Sequence, residues 1–450
     1  MKVEDPHAYG APRISSEIAD CSMPMTFDQY NYCSLGCLYC FAYLFKKANP
    51  AYKNRHLPLK QVNVAQKIAA LQGNPQTKQD GLYWEHFYSK KFLWHWGGLA
   101  DPFCNFESEN GTGLQLIDAM GELNYPCLFS FKGAAIFHKK YVKRFEKFSK
   151  QRNFAFQVSM VTANDELGKL VEIGVPSPTK RLEALKMLSD MGYWTVLRLR
   201  PFIIGVTDLH LEELLERALE AGISAISTEF FALDGRTYEN TPRIDWLGKV
   251  IGVDNLRKYY SLLSPSPRGA YWRLNRLVKE PYVKKMYTFC KKHNLVLGVS
   301  DPDFKELNSS GSCCGMPNKY PANRGLENWT KAQLTYHVRR ARKRFHKTGK
   351  DQDLTFNSVY GDPRATYLDV PAFAQEHIGL LSRCMSDRTI MTLRLILQET
   401  WNNLRSSGNP RNYFDGKVLP VGTDEEGNLI FRYVESPYEV RWKEEGIDLT

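Results

Sequence analysis

Cys33, Cys37 and Cys40 fall within eight residues of the run Asn31-Tyr-Cys-Ser-Leu-Gly-Cys-Leu-Tyr-Cys-Phe-Ala42. Three thiolates at this C-x3-C-x2-C spacing can each cap one iron of a cubane cluster and leave the fourth iron without a protein ligand. Such clusters ordinarily take four cysteines, so an open iron is useful only where a further ligand binds. The same residues admit a plainer chemistry, since zinc asks for four N or S ligands and His56 could complete such a set. Closed zinc sites, however, rarely combine this core with a distant lone histidine. Disulfides are disfavoured. The chain starts Met-Lys-Val-Glu-Asp with no apolar signal segment, and ten cysteines in 450 residues is not the density of a secreted scaffold. A reducing, cytoplasmic setting is the expectation.

The elements that must position these thiols follow from hydrophobic patterning. Apolar residues make up 43% of the chain and aromatics 13%, enough to fill the core of one large domain with an appendage. No stretch approaches the ~20 apolar residues that span a bilayer. From Met25 to about Asp303, short apolar runs alternate with amphipathic segments, the pattern of repeated β-α units on a parallel sheet. Candidate strands are Met25–Tyr32, Phe92–Gly98, Cys127–Lys132, Phe154–Met160, Thr195–Ile203 and Ser224–Phe230, with Leu295–Ser300 as a possible extension. Helices are expected over Gly113–Leu123, Lys139–Lys150, Pro178–Met191 and Leu209–Ala221. Pro178 stands where one of these would start and Gly192 where it would end.

Six units predict an α/β fold, a partial (β/α)6 TIM-like barrel. An irregular arm (1–24) precedes the core barrel (25–310), and a basic C-terminal α+β extension (311–450) follows it. In such barrels the chemistry sits on the loops at the C-terminal strand ends. The cysteine triplet follows the first strand at once and so falls on that mouth. The extension opens with the small-residue run Ser309-Ser-Gly-Ser-Cys-Cys-Gly-Met-Pro317, a boundary or functional loop. Beyond it come a basic amphipathic stretch, a helix near Asp387–Arg405 and a hairpin near Lys417–Val421 and Leu429–Val434. Between Lys331 and Lys350 there are eight Lys or Arg and no acidic residue. The formal net charge of +11 favours polyanionic partners such as nucleic acid.

The triplet, with Tyr39 before its last cysteine, resembles the signature of the radical SAM superfamily. Further segments are similar to its spore photoproduct lyase-like branch, often labelled DNA repair photolyase-like. They are Gly97-Gly-Leu-Ala-Asp-Pro-Phe-Cys-Asn-Phe-Glu107, Phe129-Ser-Phe-Lys132, Glu172-Ile-Gly-Val-Pro-Ser-Pro-Thr-Lys-Arg181 and Arg198-Leu-Arg-Pro-Phe-Ile-Ile-Gly-Val-Thr-Asp208. The likeness runs from about Met25 to Asp208, fades towards Cys314 and leaves the last quarter unexplained.

The resemblance implies a 4Fe-4S cluster on Cys33, Cys37 and Cys40, and S-adenosylmethionine (SAM) chelating the open iron. It implies reductive cleavage to a 5′-deoxyadenosyl radical that abstracts hydrogen from a substrate, with a reductant such as flavodoxin or ferredoxin supplying the electron. Gly97 and Gly98 would admit the methionine end of SAM, Lys132 or Arg198 would meet its carboxylate, and Ser159 its ribose. The departures are informative. The lyase's hydrogen-donating cysteine of the second strand is Gly98 here, which disfavours that enzyme's own route. Cys104 stands where the family has glutamine and could quench a substrate radical. Cys313 and Cys314, in a Gly-Ser setting, are candidates for a lid thiol facing substrate. Two rivals stay open: radical modification of a peptide or small metabolite, and a non-enzymatic nucleic-acid-binding protein stapled by zinc.

Overall fold

In a computed structural model of the chain, residues 3–5, 12–14, 21, 23, 25–42, 59–234, 242–264, 271–309, 312–316, 353–360, 369–371, 390–405, 409–413, 418–434 and 437–447 are described. Seven strands make a parallel sheet: β1 (Met25–Phe27), β2 (Trp94–Trp96), β3 (Cys127–Phe131), β4 (Phe154–Ser159), β5 (Trp194–Phe202), β6 (Ala225–Phe230) and β7 (Val296–Val299). They lie side by side in chain order. Helices connecting or flanking them include α1 (Thr112–Glu122), α2 (Lys139–Phe148), α3 (Asp165–Val171), α4 (Pro178–Asp190), α5 (Leu211–Glu220), α6 (Pro242–Val250) and α7 (Arg276–Lys292).

The expected α/β architecture is therefore present, and the possible seventh strand is real. Its edges are β7 and Arg13–Ile14, which pairs antiparallel with β1, so part of the predicted arm belongs to the sheet. The described sheet is open rather than closed into a barrel. Arg13 earns its place by pairing with the buried Asp28, whose other oxygen accepts from the amides of Leu99 and Ala100.

Period-2 alternation separates two faces. On the helix-covered face, aromatic rings interlock: Phe129 stacks on Phe156 at 5.3 Å and on Trp96 at 5.2 Å, and Phe145 of α2 meets Phe156 edge-on at 5.0 Å. On the concave face the strand beginnings are apolar, with Leu93, Leu128, Ala155, Trp194, Val196 and Ala225 in one buried cluster with Cys314 and Met316. Towards the strand ends that face turns polar. Pro178 stands at the start of α4 behind the Ser177 cap, as anticipated.

In the C-terminal part, the hairpin pairs Val418–Thr423 with Leu429–Tyr433, and a helix covers Leu393–Asn402, both near the positions expected. Helix Pro437–Glu444 docks on α7, where Trp442 Nε1 and Arg441 Nη2 each donate to Glu280 at 2.6 Å. The basic stretch Lys331–Lys350, His56 and Cys384 lie outside the described residues.

Buried carboxylates tie the connections together. Glu107 is fully buried and accepts from Tyr30 Oη (2.8 Å), Gln29 Nε2 (3.2 Å), the Gly113 amide (2.8 Å) and Tyr141 Oη. Replacing Glu107 with Ala strands the Gly113 amide and Tyr141 Oη, whereas Gln29 Nε2 keeps Pro102 O (2.8 Å) and Tyr30 Oη keeps Thr112 Oγ1 (3.0 Å). An unpaired buried group costs about 1–3 kcal/mol. A loss of about 3 kcal/mol or more is expected, read as a lowered urea midpoint at unchanged m-value.

Candidate active site at the cysteine loop

The cysteine loop leaves β1 at the sheet's C-terminal edge and docks on the chain that follows α3. Gly36–Cys37 pairs antiparallel with Glu172–Ile173, and the Leu38 amide donates to Val171 O at 3.0 Å. Arg243 Nη1, from α6, donates to Cys37 O at 3.2 Å. Tyr39, between the second and third cysteines, is buried, and its hydroxyl donates to Glu172 Oε1. Glu172 Oε2 accepts from Arg181 Nη2, and Arg181 Nη1 donates to Ser159 O, each at 2.5 Å. The segment Glu172–Arg181 thus contacts the cysteine loop through a ladder and the Tyr39–Glu172 hydrogen bond, and its own buried ion pair backs that bond.

Burial pushes the Cys37 thiol up to about 12, against the pull of Lys132 and Arg181. Lys132 Nζ lies 5.5 Å from the centroid of the Tyr39 ring. Cys33 is turned to Cys104: the hydrogen bond between the two thiols, followed by burial, raises Cys33, and the same bond lowers Cys104. Cys104 is fully buried in this contact. The two loops are joined again by the Asn105 amide, which donates to Ser34 Oγ at 3.0 Å.

Among the described residues, no three Cys, His, Asp or Glu side chains converge on one metal-ion position. A single tetrahedral zinc would hold its sulfurs about 4 Å apart, from Zn–S bonds of ~2.3 Å. A cubane instead takes one thiolate per iron, so its ligands need not share an ion. The donor chemistry fits a cluster once Cys33 turns from Cys104.

Cations beside the loop support an anionic ligand. Arg198 points from β5 onto the concave face, where Nη1 donates to Ser159 Oγ at 3.3 Å and Nε has no partner. It forms no ion pair among the described residues. Burial, then Arg200, lowers it to about 10. A half-buried guanidinium whose Nε is occluded and unpaired loses part of its hydration, and a ligand carboxylate at this position would compensate that loss.

Deeper in the chamber, His95 Nε2 and Ser130 Oγ are 2.7 Å apart, Ser130 Oγ donates to Gln157 Oε1 at 2.7 Å, and Gln157 Nε2 donates to Cys314 O. Cys313 O accepts from Arg200 Nη2 and Ser227 Oγ, each at 2.8 Å, and Gly315 O from Trp194 Nε1 at 3.2 Å. A Cβ on Gly298 would stand 2.6 Å from Cys313 O, so β7 needs glycine where this segment crosses it. Cys313 and Cys314, expected on a lid, instead form part of the floor, because side chains of three strands bind the backbone of 313–315. Cys314 is buried and Cys313 half-buried.

Gly97 has φ +107°, and a Cβ there would meet Ser130 O at 2.2 Å. Its need for glycine thus arises within the protein. A Cβ on Gly98 would meet Thr26 at 3.1 Å. Asp101 accepts from the amides of Phe103 (2.8 Å), Lys132 and Gly133 (3.2 Å), so it anchors its loop. Lys132, Ser159, Arg198 and the triplet are brought to one side of the mouth. His95, Arg200, Ser130 and Gln157 were missed, although alternate polar residues inside apolar strands were a usable signal.

No family model and no curated protein sequence matches the chain. Solved structures similar to it include a spore photoproduct lyase double mutant with bound AdoMet and dinucleoside spore photoproduct. That match has 12% identity over 64% of this chain and 78% of that one, with a TM-score of 0.46. Spore photoproduct lyase complexed with the dinucleoside photoproduct gives 13%, 60%, 74% and 0.44. Streptococcus suis SuiB bound to precursor peptide SuiA gives 16%, 55%, 48% and 0.33. These likenesses are loose.

His95 supplies a test of the chamber. Burial, then Arg198 and Arg200, holds it down at about 3, against the milder opposing effect of Cys313. An unfolded histidine titrates near 6.5. The unfolded chain therefore takes up this proton first as pH falls, so the stability is complete above about 6.5 and is lost progressively towards 3. His95→Gln is expected to flatten unfolding free energy between pH 6 and 4, measured by urea titration at each pH.

Proposed function

We propose that the chain is a radical SAM enzyme whose cluster is held by Cys33, Cys37 and Cys40. The observation that carries this reading is the C-x3-C-x2-C loop at the C-terminal edge of a parallel sheet, beside the half-buried Arg198 guanidinium, which forms no ion pair among the described residues. When bound, the cluster and SAM supply one-electron cleavage of the sulfonium and a 5′-deoxyadenosyl radical. The chain's own residues bind and orient. Arg198, supported by Lys132, takes the SAM carboxylate, and Ser159 takes the ribose hydroxyls. Gly97 and Gly98 keep the neighbouring loop low. The apolar floor excludes water from the chamber, as such chemistry requires.

Cys313 is assigned as the thiol nearest a bound substrate, a reading supported by its contacts with Arg200 and by its partial exposure. Cys104 and Cys314 are read as supporting thiols, each bonded to a neighbouring cysteine. The net charge of +11 makes nucleic acid the substrate class of first choice, with the part beyond 316 as its dock. The electron is assigned to a flavodoxin- or ferredoxin-type reductant. Among the described residues no helix is long and apolar enough to cross a membrane.

Anaerobic reconstitution with iron and sulfide should give a brown protein that forms 5′-deoxyadenosine from SAM and dithionite. Cys37→Ala should reduce that product to the no-enzyme background. A colourless protein holding one tight zinc, with no cleavage, would establish the zinc-stapled alternative.

A further inference from the structure

The contacts of Glu172 reach further than its place in a short ladder. Its side chain is buried, as is that of Arg181. One carboxylate oxygen takes the Tyr39 hydroxyl from the cysteine loop, and the other takes Arg181 from α4. Arg181 in turn holds the carbonyl of Ser159, whose hydroxyl meets Arg198. A continuous chain of hydrogen bonds thus runs from the turn between Cys37 and Cys40 to the strand end carrying the ribose and carboxylate contacts. Apolar side chains of similar volume would pack this space at less cost, because burying a carboxylate and a guanidinium forfeits their hydration. What apolar packing would not provide is direction. A charge-assisted bond to the Tyr39 hydroxyl fixes the ring, and with it the turn that aims both thiols.

We propose that Glu172 is a positioning residue: through Tyr39 it sets the geometry of the Cys37–Cys40 turn, and through Arg181 it keeps that turn in register with Ser159 and Arg198. The proposal rests on the radical SAM reading for its purpose, but the positioning itself is a property of the polypeptide. Tyr39→Phe keeps the buried ring and the ion pair and removes only the hydroxyl. Glu172→Gln keeps the shape and removes the charge.

The test has two readouts. In the metal-free protein, alkylation of Cys37 and Cys40 by iodoacetamide is followed by peptide mass spectrometry, with Cys290 as internal control. Loss of a hydrogen bond to a charged group corresponds to roughly tenfold or more in local opening. Both variants should therefore alkylate at Cys37 about tenfold faster with Cys290 unchanged; Tyr39→Phe should melt close to wild type, whereas Glu172→Gln, which leaves Arg181 buried without its counter-charge, should melt lower. In the reconstituted protein, the paramagnetic spectrum and midpoint potential of the reduced cluster should shift while iron and sulfide per chain are retained. Wild-type alkylation rates together with a wild-type spectrum and potential in Tyr39→Phe would overturn the proposal. If Glu172→Gln unfolds, Tyr39→Phe decides alone. If the wild-type protein takes up no cluster, the radical SAM reading fails and the alkylation rates decide the positioning role.

Discussion

Neighbouring strands from β1 to β7 all run in one direction, so seven strand ends share a single edge. Every loop that leaves those ends must start there, whatever its sequence. The cysteine loop, the Gly97–Glu107 loop, Lys132, Ser159 and Arg198 converge for that reason, although they are spread over more than 160 residues. An antiparallel sheet of the same strands would send alternate ends to opposite sides and divide the site. The helices on the other face make this arrangement possible. Their aromatic layer covers the convex side and leaves the concave side to carry polar groups.

Buried carboxylates fix the loops once the sheet has gathered them. Asp28 takes two amides and a guanidinium, Asp101 three amides, Glu107 an amide and three side chains, and Glu172 a tyrosine and an arginine. Each carboxylate offers about four acceptor sites, which suits a turn whose amides point inwards. The same burial that makes these ties costly makes them specific, since a buried donor that loses its partner is not rescued by water. Arg198 stands apart from this pattern, a cation on the concave face with only a hydroxyl contact.

The floor of the chamber is made by a segment distant in sequence. Residues 312–316 lie across the apolar beginnings of the strands, and Gln157, Trp194, Arg200 and Ser227 bind successive carbonyls. This crossing covers the apolar strand beginnings and leaves the polar strand ends, with Lys132, Arg198 and Arg200, beyond it. It also explains why Gly298 lies in β7, where any side chain would collide with the crossing backbone.

The local and periodic features were legible in the sequence. Strand alternation at Phe154–Ser159 and Cys127–Phe131, the Ser177-Pro178 helix start and the thiol spacing of the triplet all depend on residues close in the chain. Arg198 and Ser159 could be named because they lie in or beside the segments that resemble the radical SAM family, near the ends of their strands. What the sequence could not supply was contact between distant segments. That Glu172 would sit beneath Tyr39, that Cys104 would turn to Cys33, and that Cys313 and Cys314 would form a floor instead of a lid were decided by the fold. The physical reason is that sequence periodicity reports which face a residue takes, whereas its partner across that face depends on strand order, register and the path of the chain beyond.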